Sequence, residues 1–254
     1  MGCIWLIGGT QESAQLAIAV IQAQIACTVT VTTPAAQSLY PQGSKLNVAV
    51  GPLQADQIPC FLEQHQITGI LDASHPFATA ISQQAIEIAA QQNIPYLRYE
   101  RVPLKILGEG GGDVDSFETL LNGSALQDER VLLTIGYRLL PLFQPWQGQT
   151  TLFARILPSP VALQTALESG FTPDRIIALR PPISLALELA LWQQWQISAV
   201  VTKASGIPGG EEIKRQAATQ LGIKLITIAR PAISYPQQTS SLEAAVQFCR
   251  QVCG

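Results

Sequence analysis

The sequence predicts an α/β protein with two mostly parallel sheets of similar size. Its 254 residues, of which 47% are hydrophobic and 13% are charged, supply enough apolar surface for one large domain or two small ones. Short β-branched or apolar runs alternate with segments that repeat apolar residues at helical spacing. One stretch rich in glycine and acidic residues, near residues 102–128, interrupts this alternation. Because strands that alternate with helices form parallel sheets through crossover connections, each half is expected to form its own sheet.

The first half, residues 1–100, is predicted to contain five strands and three helices. The predicted strands are residues 3–7, 27–32, 46–50, a run that ends at Asp72, and 95–98. The helices are a segment that starts after Thr10, residues 54–64, and a segment with apolar positions from Ala78 to Ala89. This half is predicted to bind a dinucleotide.

The second half, residues 129–254, is predicted to form the substrate-binding domain, and residues 101–128 are predicted to be a connector. The connector should hold one short helix near residues 116–121. The predicted strands of the second half are residues 130–135, 151–156, 175–179, 199–202 and 224–228. Its helices are residues 161–168, 184–194, 210–220 and 241–252. The last helix would present one apolar face made of Leu242, Ala245, Val246, Cys249 and Cys253.

Composition argues against several classes of protein. No apolar run approaches the ~18 residues of a membrane-spanning helix, and the N-terminus lacks the basic region of a signal peptide, so a cytoplasmic protein is expected. Five cysteines without a CxxC pair fit thiols in a reducing compartment. Two histidines without clustered partners argue against a metal site.

The distribution of charge points to a small anionic ligand. Residues 1–97 hold one basic residue, Lys45, and five acidic ones, whereas residues 130–254 hold eleven basic and six acidic residues. A nucleic-acid-binding protein would show a denser basic stripe interleaved with aromatic residues, so no nucleic-acid partner is expected. A polyanionic small molecule held mainly by the second half fits this distribution.

Unusual polar residues gather where the predicted strands end, which is the edge at which open α/β sheets bind ligands. Gly8-Gly9-Thr10 follows the first strand and opens a helix, so it predicts either a nucleotide phosphate site or a tight structural turn. The second strand ends at Thr32 and Thr33 without an acidic residue, which favours NADP over NAD. Lys45 is the only local cation for a cofactor phosphate.

Residues 72–77, Asp-Ala-Ser-His-Pro-Phe, are the strongest candidate for a catalytic or binding segment in the first half. His75 could donate a proton or a hydrogen bond near neutral pH. The alternative is a structural loop in which Asp72 and Ser74 cap the next helix and His75 has no functional role. His65 is expected to be an ordinary surface residue.

The strand ends of the second half carry most of its candidate ligands. Lys203-Ala204-Ser205-Gly206 precedes a helix and suggests an anion cradle, or else a solvated loop charge. Arg155 and Arg180 are either ligand contacts or strand-end ion pairs, and Arg138 opens the segment after another strand. The segment 211–215 is expected to be a solvated helix face. If the two strand-end edges face each other, one shared cleft lies between the halves.

Five motifs occur in an order that resembles a known family. They are Gly-Gly-Thr-x-Glu at residues 8–12, Asp-Ala-Ser-His-Pro-Phe-Ala at 72–78, Arg-Tyr-Glu-Arg at 98–101, Leu-Thr-Ile-Gly at 133–136, and Val-Thr-Lys-Ala-Ser-Gly at 201–206. Together they resemble the precorrin-6A reductase family of cobalamin biosynthesis, over almost the whole chain. The chain lacks the arginine that commonly follows the second strand in that family.

The resemblance implies two Rossmann-like domains and NADPH-dependent reduction of one double bond in a corrinoid polycarboxylate, precorrin-6A or its cobalt form, to the 6B form. NADH remains an alternative cofactor, and no metal or flavin is implied. His75 and Lys203 are the predicted catalytic residues. The predicted cofactor-binding residues are Gly8, Gly9, Thr10, Thr32, Thr33, Lys45, Asp72, Ser74, His75 and Pro76. The predicted substrate-binding residues are Arg98, Arg138, Arg155, Arg180, Lys203, Ser205 and Gly206.

Two other functions fit the same pattern of elements. One is a two-domain transferase that uses a nucleotide donor, and the other is a non-catalytic sensor that closes on a nucleotide. Oxidation of NADPH in the presence of the corrinoid would separate the reductase from both. A monomer or a weak homo-oligomer without a membrane partner is expected.

Overall fold

A computed structural model describes residues 2–100 and 111–254. The chain divides into two compact units, the first made of Met1–Val102 with Pro231–Gly254 and the second of Pro103–Arg230. Each unit holds a six-stranded sheet in which every strand pairing is parallel. The prediction of two α/β halves with parallel sheets is therefore confirmed. The predicted end of the second domain at residue 254 differs from the structure, because the last 24 residues pack with the first unit.

The bounds of the elements follow the predicted alternation closely. The strands are β1 (Cys3–Ile7), β2 (Ala26–Val31), β3 (Leu46–Val50), β4 (Ile67–Asp72), β5 (Tyr96–Tyr99), β6 (Gly111–Val114), β7 (Arg130–Leu133), β8 (Thr151–Ile156), β9 (Ile176–Ala178), β10 (Ala199–Lys203), β11 (Lys224–Ile228) and β12 (Gln238–Thr239). The helices are α1 (Gln11–Gln22), α2 (Pro34–Gln37), α3 (Ile58–Gln64), α4 (Thr79–Gln92), α5 (Phe117–Asn122), α6 (Pro160–Glu168), α7 (Leu185–Gln194), α8 (Glu211–Leu221) and α9 (Leu242–Cys253).

The sheet of the first unit is covered on both faces. Successive side chains of β1 point to opposite faces, so Ile4 and Leu6 join one core cluster whereas Trp5 and Ile7 join another. Across the sheet the strands run in the order β3-β2-β1-β4-β5-β12. The order reverses between β1 and β4, which is the point where doubly wound sheets open a crevice at their carboxyl edge.

The sheet of the second unit repeats this order as β9-β8-β7-β10-β11-β6, with its reversal between β7 and β10. Its sixth position is filled by β6, a strand that the sequence analysis assigned to the connector. Two glycines at the start of β6 hid it, because glycine disfavours strands and gives no alternation to detect. The rest of the predicted connector lies partly outside the described residues, and its predicted short helix is α5.

Helix α9 buries most of the predicted apolar face, with Phe248 added to it and Leu242 left out. Ala245, Phe248 and Cys249 are buried against the first unit's core, whereas Leu242 is 41% exposed. Packing against α1 and β4 buries the face that holds Ala245, Phe248 and Cys249. The C-terminal helix thereby completes a core whose other members come from the start of the chain.

Candidate functional site

The side chain of Tyr40 supports the glycine turn, residues 8–10, that follows β1. Gly9 has a φ of +99°, and its N–H donates to the Tyr40 hydroxyl over 2.7 Å. The same hydroxyl is 2.6 Å from the Ser13 Oγ, which ties it to helix α1. A Cβ on Gly8 would lie 2.3 Å from the Tyr40 hydroxyl, so Gly8 is required by packing. A Cβ on Gly9 would meet nothing within 4 Å, and the turn is therefore open on its outer side.

Thr10 joins this turn to the loop that follows β4. Its hydroxyl accepts the Ser13 N–H as the N-cap of α1, and the Ser13 side chain accepts the Thr10 N–H in return. The Thr10 hydroxyl also donates to the Ala73 carbonyl over 3.1 Å. The structure thus brings together the two loops at the switch point of the first sheet, as the sequence placed them.

The residues after β2 lie at the same carboxyl edge, but Lys45 does not. Thr32 is exposed directly after the strand, and Thr33 caps α2 by accepting the Ala36 N–H. The Lys45 ammonium donates to the Gln24 carbonyl at the amino-terminal edge, beyond the six residues of β2. At ~3.3 Å per residue this edge is roughly 20 Å away. The assignment of Lys45 to the cofactor is therefore wrong.

Asp72 is fully buried at the end of β4 and serves as the acceptor of a local network. Its Oδ1 accepts the Ser74 N–H and an Arg98 N–H, both over 2.9 Å. Its Oδ2 accepts the hydroxyls of Ser82 (2.6 Å) and Tyr96 (2.7 Å). Burial and the Asp72 charge raise the pKa of Tyr96 far above its ordinary value, so this phenol remains a donor.

Arg98 is only 1% exposed, which argues against a direct contact with substrate. Its Nη1 donates to Asp72 and to the Ser74 hydroxyl, its Nη2 donates to the Ser74 carbonyl, and its Nε donates to Glu100. Burial disfavours its charge, but the Asp72 and Glu100 carboxylates outweigh this and raise the pKa of Arg98. The prediction of Arg98 as a substrate ligand, and of Asp72 as a direct cofactor ligand, is corrected accordingly. Both residues hold the loop that follows β4 in place through their hydrogen bonds to Ser74.

That loop, residues 74–77, is named the His75 loop. The His75 Nδ1 accepts the Phe77 N–H over 3.2 Å, which assigns the ring proton of neutral His75 to Nε2. The His75 ring is half-buried, and Pro76 beside it is buried. Helix α4 begins after this loop with Ala78 as its N-cap and without a side-chain cap, so the alternative in which Asp72 and Ser74 cap the helix is wrong.

In the second unit, two cations meet where the strand order reverses. Lys203 ends β10, and Arg138 lies in the 3₁₀ segment that follows β7. Burial, and then the charge of Arg138, lowers the pKa of Lys203 to about 8. Arg138 itself is exposed and lies over the ring of Tyr137, with its guanidinium carbon 5.7 Å from the ring centroid.

The other two predicted arginines differ in their surroundings. The Arg155 Nη1 donates to both carboxylate oxygens of Glu188 over 2.7 Å, and Glu188 also accepts the indole N–H of Trp192. Arg155 therefore forms a strand-end ion pair, which was the alternative to a ligand contact. This pairing argues against Arg155 as a substrate ligand. Arg180 is exposed after β9.

The main chain of the loop after Lys203 hydrogen-bonds with the charged side chains of Glu211 and Lys214. The Gly206 N–H, a candidate anion donor, is taken by the Glu211 carboxylate over 2.8 Å. The Lys214 ammonium donates to the Gly209 carbonyl over 2.9 Å, and burial lowers the pKa of Lys214 to about 8. Glu211 is 3% and Lys214 4% exposed, so the prediction of a solvated helix face is wrong for both. Ser205 is also buried, and the loop is an internally satisfied turn rather than an open cradle of amides.

Three contributors to these edges escaped the sequence analysis. Tyr40 supports the glycine turn, Tyr235 lies over Arg98, and the Arg230 Nε donates to the Ala204 carbonyl beside Lys203. Arg230 was detectable, because it follows the strand β11 by two residues as the other strand-end residues do. The two tyrosines lie in irregular segments, and no sequence pattern marks them.

Other surfaces of the described residues add no chemistry to these edges. Two grooves of about 620 Å³ each lie on the first unit, one between α1 and α9 and the other near α3 and the end of α4. Within residues 2–100 and 111–254, His, Cys, Asp and Glu side chains form no group of three that could hold a metal ion. No helix in the same ranges has the length and apolar character needed to cross a membrane.

Known proteins are similar to this chain over nearly its whole length. The family described as Precorrin-6x reductase CbiJ/CobK matches residues 3–250. A cobalt-precorrin-6A reductase of Synechocystis sp. is 50% identical over 99% of this chain and 97% of its own length. A protein of the same name from Priestia megaterium is 32% identical over 96% of each chain. The solved structure described as CobK precorrin-6A reductase shares the fold, with a TM-score of 0.80 at 23% identity over 99% of this chain and 97% of that one.

Proposed function

The chain belongs to the precorrin-6x reductase family, and we propose that it reduces one carbon–carbon double bond of cobalt-precorrin-6A to the 6B form with NADPH. Family membership makes it an oxidoreductase that acts on a C=C bond with a nicotinamide cofactor. The cobalt form is supported by the names of the relatives at 50% and 32% identity. The single observation that carries the proposal is the 50% identity over 99% of the chain.

The first unit fits a dinucleotide at the switch point of its sheet. The outer side of Gly9 is open, so a ligand can approach the main chain there, and the N-terminus of α1 begins directly behind it. Residues 32–38 after β2 contain no acidic side chain that would repel a 2′-phosphate. These features support NADPH bound across Gly8, Gly9, Thr10, Thr32 and the His75 loop.

The second unit fits a polycarboxylate. Arg138 and Lys203 lie together at its switch point, Arg230 lies beside Lys203, and Arg180 follows β9 at the same carboxyl edge. Positive charge concentrated at one edge attracts an anionic substrate even though the whole chain carries a net charge of −3. We therefore retain Arg138, Arg180 and Lys203 as substrate ligands and add Arg230.

The reaction adds a hydride to one carbon of the double bond and a proton to its neighbour. Bound NADPH supplies the hydride, and the main contribution of the protein is to hold the reactants in register. His75, with its Nε2–H as donor, orients the cofactor or substrate. Lys203 binds a carboxylate of the substrate and supplies the proton.

An anaerobic assay with purified corrinoids tests this function. Oxidation of NADPH is expected with cobalt-precorrin-6A, with one cofactor consumed per corrinoid reduced. Parallel reactions with NADH and with metal-free precorrin-6A establish both preferences. Failure to oxidise either cofactor with either corrinoid would contradict the proposal.

A further inference from the structure

Tyr235, in the C-terminal segment, packs against the buried network below the His75 loop. Its ring covers Arg98, whose guanidinium carbon lies 5.2 Å from the ring centroid. Burial raises the pKa of its phenol, which therefore stays protonated beside the Arg98–Asp72 pair. The Tyr235 ring thus covers Arg98, which is the member of this network that binds both Asp72 and Ser74.

The main chain holds Tyr235 in place. The Arg98 N–H donates to the Gln237 carbonyl over 2.9 Å, and the Glu100 N–H donates to the Thr239 carbonyl over 2.8 Å. These bonds set the register of β12 along β5. The position of the Tyr235 ring over Arg98 therefore follows from strand pairing, and it does not depend on a flexible tail.

Arg98 in turn determines where Ser74 lies. It donates to both the hydroxyl and the carbonyl of Ser74, over 3.0 and 3.1 Å. A guanidinium that is held at its edge by acceptors and on its face by an aromatic ring has little freedom to rotate. Because His75 follows Ser74 in the chain, the position of the imidazole depends on that guanidinium.

We propose that Tyr235 is a positioning residue for the cofactor: by covering Arg98 it fixes Ser74, and through Ser74 it fixes the His75 imidazole. The inference rests on the proposed function, because it takes the His75 loop to be part of the cofactor site. It assigns a role in the N-terminal site to a residue near the other end of the chain.

Two substitutions separate the ring from the hydroxyl. Tyr235→Phe keeps the ring over Arg98 and loses only the hydroxyl, whereas Tyr235→Leu loses both the ring and the hydroxyl. Tyr235→Leu is expected to raise the Kd and KM for NADPH about tenfold, equal to ~1.4 kcal/mol, and to leave the KM for the corrinoid within about twofold. Tyr235→Phe should stay within about threefold of the wild type.

Nuclear magnetic resonance of the imidazoles gives a readout without turnover. The chain has two histidines, His75 and His65, and His65 packs against Phe61 at the opposite edge of the sheet. In Tyr235→Leu the His75 ring signals should shift or broaden while those of His65 remain in place. Phe248→Leu is the matched control, because it weakens packing in the same C-terminal segment without touching Arg98.

The outcomes are distinct. Unchanged His75 signals and an unchanged Kd for NADPH in folded Tyr235→Leu would overturn the inference while the proposed function stands. Equal changes in Phe248→Leu at a matched loss of melting temperature would also overturn it, because they would mean general destabilisation. A wild-type chain that binds neither NADPH nor NADH would overturn the proposed function and this inference with it.

Discussion

At the scale of single residues, Gly9 shows how backbone conformation and ligand access coincide. Its φ of +99° is unfavourable for residues with a Cβ, yet a Cβ there would meet no protein atom. Packing alone therefore does not account for a small residue at this position. The conformation and the open outer side are the features that a ligand approaching the main chain requires.

Gly9→Val tests this site. The β-branched side chain would occupy the space proposed for the pyrophosphate and strain the turn, so the Kd for NADPH should rise tenfold or more, about 1.4 kcal/mol. Cofactor titration measures it, with circular dichroism as the check of folding. Lys45→Ala is the matched control, and it should leave the Kd values for NADPH and NADH unchanged because Lys45 lies at the opposite edge. If a folded Gly9→Val variant bound NADPH with wild-type affinity, the assignment of the cofactor to this turn would be contradicted.

The lowered pKa of Lys203 predicts that the kcat/KM for the corrinoid depends on pH. With a pKa lowered to about 8, the free enzyme loses this positive charge as the pH rises through 8. The kcat/KM for the corrinoid should therefore fall above pH 8, since this ratio reports groups of the free enzyme. Lys203→Arg, which keeps its charge in this range, should abolish the fall and lower kcat by about 10² if Lys203 supplies the proton. The same alkaline fall in Lys203→Met would show that another group titrates.

At the scale of elements, a buried ion pair joins a helix to a strand end in the second unit. It links Arg155 of β8 with Glu188 of α7, and Glu188 is 2% exposed. Removal of one partner from a buried pair leaves the other charge without compensation, which typically costs 3–5 kcal/mol. This contact therefore supports the packing of α7 on the sheet.

Arg155→Ala should accordingly lower the free energy of unfolding by roughly 3 kcal/mol and leave the Kd for NADPH unchanged. Urea denaturation measures the first quantity. Arg180→Ala, which removes an exposed arginine from the next strand end, should change stability by less than ~0.5 kcal/mol. Equal stability of the two variants would mean that the Arg155–Glu188 pair contributes nothing to folding.

The sequence predicted most elements because their signals are local. The runs at β1, β3 and β8 are short and apolar, and the glycine turn and the His75 loop were placed correctly at strand ends. Failures arose where a contact outside the helix or strand itself decides the burial of a residue. Glu211 and Lys214 resemble a solvated first helical turn until Gly206 and Gly209 fold back on them. Arg98 resembles a ligand contact until Asp72 and Tyr235 bury it.

At the scale of the whole molecule, each sheet has at one edge a sixth strand that the sequence analysis did not assign to it. The first sheet uses β12, which comes after all of the second unit, and the second uses β6, which precedes β7. No local pattern marks this arrangement, since β12 has two residues and β6 begins with two glycines. The first unit is therefore complete only when both ends of the chain are present.

Phe248→Ala tests this dependence. Phe248 is buried in a core shared with Ile4 and Leu6, so its truncation should cost ~3–5 kcal/mol and destabilise the first unit. Protection of NADPH-bound chain from proteolysis reports that unit, and its protected fraction should fall in the variant. Leu242→Ala, on the exposed side of the same helix, is the control and should behave as the wild type. If Phe248→Ala left the protection unchanged, α9 would not support the first unit.

Transfer of deuterium from cofactor to product is the decisive measurement of the proposed reduction. Cobalt-precorrin-6A is incubated anaerobically with the wild-type chain and NADPH that carries deuterium at both transferable positions of the nicotinamide, and the product is analysed by mass spectrometry. The product is expected to be a corrinoid that has gained one deuterium from the cofactor and one hydrogen from water, in step with NADPH oxidation. A reduced corrinoid without deuterium, or NADPH that stays unoxidised in the presence of substrate, would contradict it.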